Sequence, residues 1–210
     1  GYQKLAAELS VWLSIGSLAL KTDDADGRYA NRSFVIDPTG AVTTRYDKIH
    51  MFDVDVTKDE TYRESDGYRP GTRAAIAPTP FGTLGLSICY DVRFAYLYRA
   101  LAQAGAEILL VPAAFSPVTG KAHWESLLRA RAIETGCYVL AAAQTGTHRA
   151  SVGKQRKTHG HSLAISPWGE VLADGGPEEG TVLVEIDHAE VAQARRKIAA
   201  LGHDRNFEGP

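Results

Sequence analysis

The residues from Gly82 to Phe94 restrict the fold more than any other stretch of this chain. Leu84, Leu86 and Ile88 form an apolar run at strand spacing, and the run stops at Cys89. Helical character follows from about Phe94 to Ala104. Ala106 to Phe115 is a second buried-strand pattern, Lys121 to Thr135 a second helix, and Cys137 to Gln144 a further strand. Strand, helix and strand at this spacing predict a βαβ-like unit and an α/β fold. Cys89 therefore falls where a buried strand hands over to a helix. Such a turn projects its side chain, and the helix that follows offers unpaired N–H groups and a positive dipole end. The thiolate is the reactive form of cysteine, and a helix start favours it. The competing reading is a small buried hydrophobe, the common fate of a lone cysteine.

Bulk properties narrow the function. A chain of 210 residues can bury a substantial core, and residues 1–210 read as one domain. A formal net charge of -2 gives no footprint for nucleic acid or for an anionic membrane. No apolar run approaches the ~20 residues of a membrane helix. Two cysteines, Cys89 and Cys137, are too few for a disulfide framework, so the expected setting is cytoplasmic. Cys137 follows a helix end and reads as core.

The rest of the chain supplies candidate partners for Cys89. Gln3 to Leu9 reads as a helix and Val11 to Leu20 as a buried strand, with a loop at Thr22 to Gly27. Ala30 to Tyr46 reads as two strands around the turn Asp37 to Gly40. Lys48 lies at a strand end among Ile49, Met51, Phe52 and Val54. A lysine is a surface residue by default, but a buried one needs a charge partner or a task. Thr57 to Gly71 reads as a polar loop, with Glu64 a solvated glutamate inside it. Ser116 to Gly120 reads as a loop at a strand's C-terminal end, where α/β pockets form. Arg131 shares the apolar face of its helix with Trp124, Leu127 and Leu128, so it needs a buried anion, Glu134 or Glu107. Thr145 to Thr158 reads as a mobile basic loop, and His159 to Ala173 as a hairpin around Ser166 to Gly169. His159 and His161 are too few for a metal site, and none is expected. Gly180 to Asp187 reads as a last strand and His188 to Leu201 as a polar helix.

Taken together, several segments resemble the nitrilase, or carbon-nitrogen hydrolase, superfamily, and its Nit branch of deaminated glutathione amidases and omega-amidases in particular. They are Tyr46-Asp-Lys-Ile-His with Phe52-Asp, Glu64-Ser, Gly85-Leu-Ser-Ile-Cys-Tyr-Asp-Val-Arg-Phe, His123-Trp-Glu with Arg129-Ala-Arg-Ala-Ile-Glu, and Gly160-His-Ser with Pro167-Trp-Gly. The resemblance runs in order from about Leu13 to Asp187. It implies a four-layer α-β-β-α sandwich whose subunits associate as a homodimer or higher homo-oligomer. It also implies a cysteine amidase that needs no cofactor. The substrate it implies is a small amide bearing a carboxylate, such as deaminated glutathione or 2-oxoglutaramate, cleaved through a thioester. Lys48 and Cys89 match the family's catalytic lysine and cysteine, and Glu64 an assisting glutamate. The oxyanion donors are expected to be Lys48 and the backbone N–H of Tyr90.

The carboxylate needs a cation, and Arg93 is the first candidate, with an ion pair to Asp91 as its alternative role. Phe115 and His123 are expected to line the same pocket. The family's base glutamate lies on a strand-helix segment that this sequence does not match, so the chain reads as N-terminally incomplete. Two alternatives remain at this point. One is a sibling hydrolase: an aliphatic amidase, an N-carbamoyl amino acid hydrolase or a nitrilase. The other is a non-catalytic fragment or assembly module.

Overall fold

The computed structural model describes residues 1–23, 26–58, 60–150 and 155–209. The chain begins with helix α1 (Tyr2–Leu9) and strands β1 (Leu13–Leu20), β2 (Tyr29–Ile36) and β3 (Val42–Asp47). Strands β4 (Asp53–Thr57), β5 (Glu60–Arg63), β6 (Tyr68–Arg69), β7 (Ala75–Thr79) and β8 (Gly82–Leu86) follow. After them come α2 (Ala95–Gln103), β9 (Ile108–Leu110), α3 (Pro117–Thr135) and β10 (Tyr138–Ala141). The chain closes with β11 (Thr145–His148), β12 (Arg156–His159), β13 (Leu163–Ile165), β14 (Val171–Asp174) and α4 (His188–Lys197).

Two sheets face each other. The first is an antiparallel β1-β2-β3 meander, with β6 pairing with one end of β2. The second has the order β14-β13-β10-β9-β8-β7, with β8, β9 and β10 parallel at its centre. Parallel strands buried on both faces need near-continuous apolar runs, which is why these three were readable in sequence. Val35 and Tyr46 of the first sheet pack on Leu84, Leu86, Ile88 and Ile108 of the second. The opposite face of the second sheet carries Leu109, Val111 and Val139 against Leu97, Leu101, Trp124 and Leu128 of α2 and α3. Helix α1 lies on the outer side of the first sheet, where Gln3 Nε2 donates to Gly40 O at 2.9 Å and Ala6 is buried. The layers are thus α-β-β-α, as expected. Among the described residues no helix is long and apolar enough to cross a membrane.

Four local expectations are corrected. Thr57 to Gly71 is not a plain loop: it contributes the end of β4, β5, a 3-10 turn (Glu64–Asp66) and β6. Helix α3 starts at Pro117, four residues before Lys121, because proline's fixed φ suits a first helical turn. Thr145 to Thr158 holds the paired strands β11 and β12, while 151–154 at its centre lie outside the described residues, as do 24–25 of the first loop. Gly180 to Asp187 is extended in composition but joins no sheet among the described residues, and Leu183 is 90% exposed. A strand pattern needs a partner edge as well as alternating side chains.

Helix α3 passes so close to β12 that Gly120 has no room for a side chain. A Cβ there would lie 2.3 Å from His159 Cγ and 2.4 Å from His159 Cβ. Because one clashing atom is a Cβ, a rotamer change cannot clear it. Gly120→Ala is therefore expected to lower stability. Overpacking costs about 1–3 kcal/mol, which exceeds the ~1 kcal/mol gained in helix propensity. A thermal melt checks this, and an unchanged or higher midpoint would refute the close approach.

Candidate active site

Cys89 ends the strand pattern and opens a 3-10 turn, Cys89–Arg93. Its φ is 51°, in the left-handed region that a non-glycine residue rarely occupies. Three bonds hold this strained turn. Cys89 N–H donates to Pro112 O at 2.9 Å, Asp91 N–H to Ile88 O at 3.1 Å, and Ile88 N–H to Asp91 Oδ2 at 2.9 Å. The thiol is half-buried, and it lines a cavity of about 1260 Å³ between the sheets. Cys137, by contrast, is fully buried, and burial pushes its thiol up, as expected for core.

Lys48 follows β3 directly. Its N–H donates to Asn31 O at 2.9 Å and its carbonyl accepts from Gly71 N–H at 2.7 Å, so the backbone is fixed on both sides. The side chain is 3% exposed, and its ammonium bonds to Glu64 Oε2. Glu64 is itself held by Phe52 N–H on Oε2 at 2.7 Å and by Asn31 Nδ2 on Oε1 at 3.1 Å. A buried ammonium of this kind is tolerated only with such a partner, and breaking the pair costs about 3–5 kcal/mol. Lys48, Glu64 and Cys89 all line the one cavity, with Tyr90 beside them. The Tyr90 ring packs on Phe52 and Phe94, with centroids at 5.0 and 5.3 Å.

The remaining candidates divide. Phe115 lines the cavity wall. Arg93 and His123 are not among the lining residues: Arg93 Nη2 lies 3.2 Å from His123 Nδ1, and its guanidinium stands 5.7 Å over the Phe115 ring. Arg93 does not pair with Asp91, whose oxygens are taken by Tyr46, His50 and Ile88. Arg131 meets Glu134 rather than Glu107 and also donates to Val92 O at 2.8 Å. His161 turns to Asp174, Nδ1 to Oδ2 at 2.9 Å. Among the described residues no group of three or more His, Cys, Asp or Glu is placed to hold a metal.

Two parts of the site were not singled out from sequence. Asp91 ties the Cys89 turn to both flanks of Lys48; its position two residues after the nucleophile was the available signal. Arg156 lines the cavity from β12, inside a stretch read only as basic and polar.

Residues 1–196 match the model of a family described as carbon-nitrogen hydrolase. A deaminated glutathione amidase of Yersinia enterocolitica is 43% identical over 205 residues, covering 97% of this chain and 70% of that protein. The crystal structure of the C. elegans NitFhit protein superposes with a TM-score of 0.88 at 40% identity, covering 97% of this chain and 49% of the other. This chain thus spans about half of the worm protein. An amidase mutant from Nesterenkonia sp. AN1, at 26% identity and a TM-score of 0.73 over 93% of this chain and 69% of its own, shows covalent addition of an acetamide moiety at its active site cysteine.

Proposed function

The chain belongs to the carbon-nitrogen hydrolase family, and from that premise we propose that it is a cysteine amidase cleaving a small amide that carries a carboxylate, deaminated glutathione or 2-oxoglutaramate. One observation carries the reading: a strained, half-buried cysteine shares a cavity with a buried lysine–glutamate pair. The Cys89 thiolate attacks the amide carbon, forming a C–S bond and moving the carbonyl π electrons onto oxygen. The Lys48 ammonium and the Tyr90 N–H, which sits in a first helical turn with no partner inside the helix, stabilise that oxyanion. Collapse breaks the C–N bond. The nitrogen leaves with the proton first taken from the thiol, and a thioester remains on Cys89. Water attacks the thioester through a second oxyanion, releasing the acid and restoring the thiol.

The proton passes through a general base, the role the family pattern gives to a further glutamate. Glu64 is unsuited to it, because Asn31, Phe52 and Lys48 already occupy its two oxygens. Its proposed task is to hold Lys48 and balance its charge. Glu64→Gln is expected to lower kcat by roughly 10²-fold through loss of that positioning. Steady-state kinetics check this, and an unchanged kcat would contradict the role.

Phe115 forms the apolar wall, and Arg93, on the Cys89 turn but outside the cavity lining as it stands, is proposed to reach the carboxylate of the acyl part by a change of side-chain rotamer, with His123 beside it. Residues 1–210 are proposed to act as one domain. A reducing compartment keeps Cys89 a thiol, so the proposed setting is the cytoplasm. Exposed large apolar side chains, Leu183 and Phe207 among them, support association into a homodimer or larger homo-oligomer, which light scattering tests.

The direct test of function is release of 2-oxoglutarate from both named substrates by the full-length protein. Hydrolysis of a simple nitrile or an N-carbamoyl amino acid, with neither substrate cleaved, would assign the protein to another branch.

A further inference from the structure

Arg156 lines the cavity and, among the described residues, has no carboxylate partner. Three other lining residues can carry positive charge. Lys48 is committed to Glu64, and Arg63 grips Asp55 at 2.9 and 3.1 Å. The third, His148, faces Thr158 Oγ1 at 2.7 Å. Arg156 forms no ion pair with a described residue, yet it is held on two sides. Its Nη2 donates to Ala114 O at 2.6 Å, and its guanidinium lies 5.7 Å from the centroid of the Tyr62 ring. Tyr62 is fixed in turn: its hydroxyl donates to Glu60 Oε1 at 2.7 Å, and burial with that bond pushes its pKa up to about 12. The Tyr62 ring also packs on Phe52 at 4.9 Å, and Phe52 on Tyr90 beside the nucleophile. One of five guanidinium N–H donors is thus used on Ala114, and the planar fork suits a carboxylate. A pre-positioned arginine also loses less freedom on binding than a free one.

Deaminated glutathione carries two carboxylates, one on the acyl side of the scissile amide and one at the end of the departing dipeptide. Arg93 lies on the same short turn as Cys89, whereas Arg156 comes from a separate hairpin. We infer that Arg156 is a specificity-determining residue that pairs with the terminal carboxylate of a peptide-like leaving group. The inference rests on the amidase reading above.

The test compares three substrates: deaminated glutathione, the same molecule with its C-terminal carboxylate converted to a carboxamide, and 2-oxoglutaramate, whose leaving group is ammonia. Arg156→Gln is expected to raise KM for deaminated glutathione by roughly 10- to 100-fold, with kcat within about 3-fold. The other two substrates should keep their KM within about 3-fold, and Arg156→Lys should fall between wild type and Arg156→Gln. An equal rise for all three substrates means a role in wall structure, and no rise for any means a solvated surface arginine. Either result overturns the assignment and leaves the amidase reading standing. A full-length wild-type protein that turns over none of the three overturns the amidase reading, and this inference with it.

Discussion

Cys89→Ala is expected to abolish amide hydrolysis, by at least about 10⁴-fold, and to leave the melting temperature nearly unchanged. The size of the loss follows from the scheme. Without sulfur no acyl-enzyme forms, and the oxyanion donors alone leave only residual catalysis. The small stability effect follows from the site. Cys89 packs on the edge of both core clusters but is only half-buried and opens on a cavity, so removing its sulfur opens little new enclosed void. Alanine meets the same strain at φ 51°, because both residues carry a Cβ. Two measurements settle the result together: steady-state ammonia or amine release, and intact mass after treatment with chloroacetamide. Wild type should gain one adduct that maps to Cys89 and lose activity in proportion. A Cys89→Ala protein retaining more than about 1% of wild-type turnover would remove the thioester from the mechanism.

Much of this site was legible in the sequence because its parts sit at abrupt changes of pattern. Leu84, Leu86 and Ile88 alternate as one face of a strand, and the alternation stops at the nucleophile. The apolar residues after Lys48 made an exposed lysine improbable there, and the ammonium is indeed buried against a carboxylate. Glu64 was different. Nothing in its polar surroundings distinguishes it from a solvated glutamate; only the family pattern singled it out. Its partner atoms come from Asn31, Lys48 and Phe52, which local spacing cannot bring together. Gly180 to Asp187 failed for a related reason. Val182, Val184 and Ile186 alternate as in a strand, but hydrogen-bond partners are a property of the sheet and not of the segment. Pro117 has the look of a loop residue in the sequence although it opens a 19-residue helix, since proline serves either role. Arg156 lay in a stretch whose composition gave charge but no direction.

The largest stability effect is expected at Asp91, the wholly buried carboxylate that fixes how the two halves of the site meet. Oδ1 accepts from His50 N–H at 3.0 Å and from His50 Nδ1–H at 2.7 Å. Oδ2 accepts from the Tyr46 hydroxyl at 2.7 Å and from Ile88 N–H at 2.9 Å. Tyr46 and His50 flank Lys48 two residues away on either side, and Ile88 precedes the nucleophile. Burial, reinforced by the Asp91 charge, pushes the Tyr46 hydroxyl far up, so it stays protonated and donates. The His50 ring stacks on Phe94 at 3.6 Å and its Nε2 meets the Tyr96 hydroxyl, so it cannot turn to another acceptor without breaking both contacts. Asp91→Ala leaves these donors without an acceptor, at about 1–3 kcal/mol for each that finds no water. We expect a loss of about 3–5 kcal/mol, seen as a melting temperature lower by roughly 10 °C. Asp91→Asn keeps the volume but places an NH₂ where one acceptor stood, so it should lie between wild type and Asp91→Ala. Activity measured well below the melt should still fall, by roughly 10²-fold in kcat, because a displacement of about 1 Å between nucleophile and oxyanion donor costs that much. Tyr46→Phe separates the two effects: it deletes one bond and keeps the ring in the core between the sheets. A partial loss of kcat with a small change in melting temperature would show that Asp91 acts on the spacing of Lys48 and Cys89, whereas wild-type kcat in both Tyr46→Phe and Asp91→Asn would reduce it to a packing residue.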